Sequence, residues 1–167
     1  MGAKHLSKRD TSWVGEARIT GDLGEQNFAV LMENTLPDHY EVNPSPKKIV
    51  LYSNGKGVVL DTKITNSITG KCLFVEKKSG GAGGGNAHER AGKFLSKRIQ
   101  ERVSEMYDTV EDPFFFVFSG KTFNQKNDKG VKYRDELREM FHYSQYAVLK
   151  EGNSNYKEIA QQIMEII

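Results

Sequence analysis

The chain has a single cysteine, Cys72, among its 167 residues. One thiol builds neither an internal disulfide nor a thiolate metal cluster, which suits a reducing compartment and leaves Cys72 the expected role of packing in a strand. Long apolar runs are missing too. None is longer than five residues, as at 114–118, which falls far short of the roughly 20 residues that a membrane-spanning helix needs, so a soluble chain with no membrane partner is expected. Residues 1–10 are basic and polar without an apolar centre, and read as neither a secretory signal nor a transit peptide. A cytoplasmic location is therefore expected. Charge of one sign is not in excess either: a formal +2 is too small to mark a nucleic-acid binder by itself. With 37% apolar and 28% charged content, the chain is long enough for one core and too short for two, so residues 1–167 are expected to form one domain.

What is present is an alternation of helical and strand patterns. Residues 15–34 carry a rough helical stripe, expected to break or bend near Gly21 and Gly24, and Pro37 closes that region. Residues 48–53, 57–64 and 71–78 are rich in β-branched and aromatic side chains and separated by turn formers, which predicts a three-stranded meander. A glycine tract, 79–85, ends it. Asn86 is placed to cap a helix running to about Tyr107, with Ala91, Leu95, Ile99, Val103 and Met106 on one face and Arg90, Lys93 and Lys97 on the other. Residues 114–118 show no alternation and predict a strand buried on both sides. A polar loop at 119–130, a helix at 133–141, a short strand at 145–149 and a helix at 156–167 complete an α/β pattern, a central mixed sheet flanked by helices.

Three residues in this pattern carry chemistry. Asp61 falls in the second predicted strand, and Glu76 and Lys78 fall in the third, two residues apart and so on one face. If those strands pair, two carboxylates meet one ammonium. Phosphodiester hydrolysis needs a hard cation against the charge of its transition state, and Mg²⁺ is commonly held by one or two carboxylates. Asp61 and Glu76 would be the ligands, with the Lys77 backbone carbonyl as a third. Lys78 would orient the attacking water and stabilise charge on the phosphate. The plainer reading of such residues is a set of exposed hairpin charges serving solubility.

In residue types and strand context the segment resembles the PD-(D/E)XK nuclease superfamily, with Leu60 standing where that superfamily often has proline. Glu25, on the first helix, offers a further acid near the metals, as helix-one glutamates do in some relatives, although a solvated residue is the simpler reading. Directly after Lys78 and its glycines comes Gly85-Asn86-Ala87-His88-Glu89-Arg90. Asparagine pairs bidentately with adenine and arginine donates to purine acceptors, so these residues at a helix mouth suit major-groove reading. The segment is similar to the G-N-A-x-E-R stretch of EcoRI- and MunI-like type II restriction endonucleases, in which it likewise follows the catalytic strand.

That resemblance implies a restriction-endonuclease-like fold and a homodimer that cuts double-stranded DNA at a palindrome with Mg²⁺ and no nucleotide cofactor. It also implies a cytoplasmic enzyme of bacterial, archaeal or phage origin. Asn86, Ala87 and Arg90 would contact the inner pairs of an AATT core, Glu89 would bridge to protein or bases, and His88 holds the family's variable position, with Lys93 and Lys97 further along the DNA-binding helix. Cleavage 5′ of the core would leave 5′-phosphates on four-nucleotide overhangs. Gly83 and Gly84 offer no side chain to outer base pairs, which leaves the loop at 121–132 as the candidate for flanks. A phosphate-binding loop is excluded, because Phe94 follows Gly92-Lys93 where Ser or Thr is needed. Neither His88 nor His142 has a partner at zinc-ligand spacing. Two rivals stand beside this reading: a repair or junction nuclease with the same three residues, and a DNA-binding protein that needs none of them.

Overall fold

The computed structural model describes residues 21–80 and 87–167, with backbone alone at 21–26. Its core is a five-stranded sheet in the order β1 (Tyr40–Asn43), β4 (Thr62–Asn66), β5 (Cys72–Ser79), β6 (Thr109–Ser119) and β7 (Tyr146–Val148). The β1/β4 and β4/β5 pairs are antiparallel, whereas β5/β6 and β6/β7 are parallel. A separate two-stranded hairpin joins β2 (Ile49–Val50) to β3 (Gly57–Val58). The fold is the α/β type with a mixed central sheet that the pattern predicts.

Strands β5 and β6 lack alternation because both of their faces are covered. Phe74, Phe114, Phe116 and Phe118 point into one cluster, with Phe94, Val103 and Phe141 above them. Leu73, Val75, Phe115 and Val117 point into the other, against Phe28, Met32 and Ile159. The first layer is built by α2 (Ala87–Gly92), α3 (Lys97–Met106), α4 (Lys121–Asn124) and α5 (Asp128–Met140), and the second by α1 (Gly21–Thr35) and α6 (Tyr156–Ile166). The phenylalanines of β6 form a ladder, with successive centroids 6.4 Å apart at Phe114, Phe116 and Phe118. Each such side chain, fully buried, stabilises the fold by about 1.5–3 kcal/mol. Cys72 is buried in β5, and burial pushes its thiol up. Among the described residues no helix is long and apolar enough to cross a membrane.

Four local expectations are corrected. The predicted meander is not one sheet: residues 57–64 divide, β3 pairing with β2 outside the main sheet while β4 pairs with β5 and with β1. Leu60, only 1% exposed, anchors the crossing between them. The helix expected from Asn86 to Tyr107 breaks at a 3₁₀ turn, Lys93–Leu95, where the Phe94 ring drops into the core and Ser96 takes extended geometry. Residues 119–130 are not a plain loop. They hold α4 and the start of α5, whose N-cap Asn127 accepts the Gly130 N–H at 3.0 Å; a Cβ on Gly130 would strike the Gln125 carbonyl. Finally, α1 runs on through Gly24 rather than breaking there; residues 15–20 of that predicted stripe lie outside the described residues.

Candidate active site and reading segment

The chain leaves the hairpin through buried Leu60 and presents Asp61 immediately before β4. Beside it, β5 turns Glu76 and Lys78 to the same face as Phe74, since strand side chains alternate. Each carboxylate accepts a backbone N–H from the neighbouring segment. The Asp61 N–H donates to Glu76 Oε1 at 3.0 Å, and the Lys77 N–H donates to Asp61 Oδ2 at 3.0 Å. The Lys78 ammonium then closes the group, 3.1 Å from Asp61 Oδ2 and 2.9 Å from Glu76 Oε2. All three sequence-predicted residues are thus brought together, on β5 and the approach to β4.

The electrostatics of this group follow from its burial. Glu76 is 0% exposed. Loss of water, and then the neighbouring charge of Asp61, push its carboxyl up to about 8, against the opposing pull of Lys78. Burial acts on Lys78 in the opposite direction, favouring the neutral amine, but the charges of Glu76 and Asp61 outweigh it and hold the ammonium above its ordinary value. Below the lysine lies Phe94, its ring centroid 5.7 Å from the Lys78 nitrogen, while the Lys93 nitrogen is 4.8 Å from the same ring. Phe94 is absent from the apolar face read in the sequence, although its three-residue spacing from Ala91 was the available signal.

Two carboxylates converging on one cation are a suitable donor set for a hard divalent ion, which takes one or two carboxylates and fills its remaining positions with water and phosphate. Among the described residues no cluster of three or more His, Cys, Asp or Glu side chains is arranged to hold a metal. Glu25 lies near the start of α1, and its side chain is outside the described residues.

Past Lys78, the ends of β5 and β6 meet closely. The Gly80 N–H donates to the Ser119 carbonyl at 2.9 Å, and Gly120, at φ +91°, packs so tightly that a Cβ there would collide with the Gly80 carbonyl. Residues 81–86, with Gly83, Gly84, Gly85 and Asn86, are outside the described residues. The chain resumes in α2, directly over the sheet. Ala87 is 0% exposed and His88 4%, so both side chains face inward. His88 Nε2 lies 2.9 Å from Glu136 Oε2 on α5, which ties the start of α2 to that helix. Glu89, Arg90, Lys93 and Lys97 are exposed, and the Lys97 side chain, at 90%, lies 3.9 Å from a Glu101 oxygen. The His88 anchor was not legible, because its partner lies 48 positions further on.

The family model for the type II restriction enzyme MunI matches residues 50–146. No curated protein matches the chain. Among solved structures the chain is similar to the MunI restriction endonuclease in complex with cognate DNA, with 21% sequence identity, 96% of each chain covered and a TM-score of 0.64. At that identity the likeness speaks for the fold. The family match spans more than half of the chain and includes Asp61, Glu76, Lys78 and the whole 85–90 segment, and the chain therefore belongs to the MunI family of type II restriction enzymes.

Proposed function

We propose that this type II restriction endonuclease works as a homodimer on double-stranded DNA, cutting at a short palindrome with an AATT core in the presence of Mg²⁺. The observation that carries the reading is the convergence of Asp61 and Glu76 on one ammonium, Lys78, beside a helix that exposes Arg90. Asp61, Glu76 and the Lys77 carbonyl would hold the ion. When bound, magnesium supplies positive charge against the pentavalent transition state. Lys78 donates its N–H groups to the attacking water and to a phosphate oxygen, and its charge is maintained by the two acids around it. The bonds from the Asp61 N–H to Glu76 and from the Lys77 N–H to Asp61 keep the group in place before DNA arrives.

Sequence reading is assigned to Asn86 and Arg90, with Glu89 bridging and Lys93 and Lys97 following the backbone. Burial of Ala87 limits its contribution to main-chain contact, and His88 supports the segment from inside. Two-fold symmetry of the protein matches two-fold symmetry of the site, each subunit cutting one strand. Digestion of plasmid DNA of known sequence, with Mg²⁺ and with chelator, followed by sequencing of the ends, tests this. Discrete fragments bearing 5′-phosphates and four-nucleotide 5′ overhangs on AATT are expected only with the metal. Random ends, or cutting in chelator, would refute it.

A further inference from the structure

We infer that the β2–β3 hairpin is a sequence-independent clamp on the DNA phosphate backbone next to the bond that is cut; this rests on the nuclease reading above. Between Glu41 and Asp61 the chain contains no acid, and it carries three lysines, Lys47, Lys48 and Lys56. All three are exposed. A duplex presents closely spaced phosphates, and an acid-free basic element is complementary to them.

Position supports the same partner. Ile49, Val58 and Leu60 seat the hairpin in the cluster that contains Phe74, Ala87 and Phe94, so it sits on the face of the sheet that carries Glu76, Lys78 and α2. The very next residue after Leu60 is Asp61. A backbone passing the catalytic group therefore has the hairpin beside it. The hairpin is also rigid enough to hold a register. Gly57 packs so closely on the Ile49 carbonyl that a Cβ would overlap it, Gly55 turns the tip at φ +75°, and Lys48 Nζ donates to the Gly55 carbonyl at 2.8 Å. Outward-facing Val50, Tyr52 and Val59 are 50%, 63% and 67% exposed. They add apolar surface of the kind that lies against deoxyribose between phosphates.

The test is the salt dependence of binding by the full chain, in chelator, to a duplex containing AATT and to a duplex with that core scrambled. Lys48 braces the tip, so the primary variant is the double substitution Lys47→Gln with Lys56→Gln, and Lys157→Gln on α6 is the control. Each phosphate that is no longer neutralised takes about 0.9 from the slope of log affinity against log salt. The double variant is expected to flatten the slope by about 2 and to bind roughly tenfold more weakly at low salt on both duplexes, with their affinity ratio unchanged. The control should keep the parent slope. A double variant with the parent slope overturns the clamp while leaving the nuclease reading standing, and a fall in the affinity ratio overturns it in favour of base reading. A parent that binds neither duplex brings down both.

Discussion

The backbone N–H of Asp61 donates to the carboxylate of Glu76 at 3.0 Å, although fifteen positions separate the two residues. Together with the return bond from the Lys77 N–H to Asp61 at 3.0 Å, it fixes two carboxyl groups beside each other, with Glu76 fully buried. Such an arrangement is held by the sheet against its own repulsion, with Lys78 as the compensating charge. It is suited to receive a dication, and it costs stability without one.

That cost depends on pH. The Glu76 carboxyl sits at about 8 in the folded chain against an ordinary 4.5, so between those values the folded state binds more protons than the unfolded state. Stability must then fall as pH rises through that window, and Lys78, held above its ordinary value of 10.5, does not titrate within it. In chelator, urea unfolding of the parent is expected to show lower stability at pH 8 than at pH 5. Glu76→Gln should remove much of that dependence and be more stable than the parent at pH 8, by about 1–3 kcal/mol. A variant less stable than the parent at pH 8 would contradict the electrostatic account.

Phe94 lies under the Lys78 ammonium at 5.7 Å and belongs to the turn that directly follows α2. In the proposed reaction it would act only through that lysine, as a positioning residue. Phe94→Leu retains apolar bulk but loses the aromatic face, worth about 0.5–2 kcal/mol to a nearby cation. Single-turnover cleavage should slow by about two- to thirtyfold while affinity for the AATT duplex holds, and Phe94→Tyr should recover more of the rate than leucine does. A loss of affinity with unchanged rate would show that Phe94 supports α2 rather than Lys78.

Arg90 is exposed on α2, with the helix anchored behind it by His88 and Glu136. Arg90→Ala should cost about 1–3 kcal/mol of discrimination for each base edge that the guanidinium reads, measured as the ratio of affinities for AATT and singly substituted cores. An equal loss on every duplex would assign Arg90 to a phosphate.

The Glu76–Lys78 half of the candidate site was legible because its signal is local, whereas Asp61 joins it only through the pairing of β4 with β5. A period of two puts Glu76 and Lys78 on one face whatever pairs with β5, and the unbroken apolar run of β6 announces burial on both sides. What escaped depended on partners distant in sequence or on short elements. Tyr40–Asn43 is a four-residue edge strand with alternating partial exposure, too brief and polar to stand out. The split of 57–64 between two sheets is decided by where β2 and β5 compete for partners, which periodicity does not encode. The break at Lys93–Leu95 occurs where Phe94 gains more by entering the core than the helix gains by continuing, and the helices within 121–140 begin among polar residues that read as a loop until Asn127 is seen capping Gly130. Asn86 and the glycines before it rest on sequence alone.

The most direct measurement is cleavage set against binding for Glu76→Ala and Lys78→Ala, on one labelled AATT duplex. With Mg²⁺ each variant should cut slower than the parent by on the order of 10²–10³-fold or more, while specific binding in chelator stays within about tenfold of the parent. Either variant cutting at the parent's rate would contradict the assignment of this buried trio to catalysis.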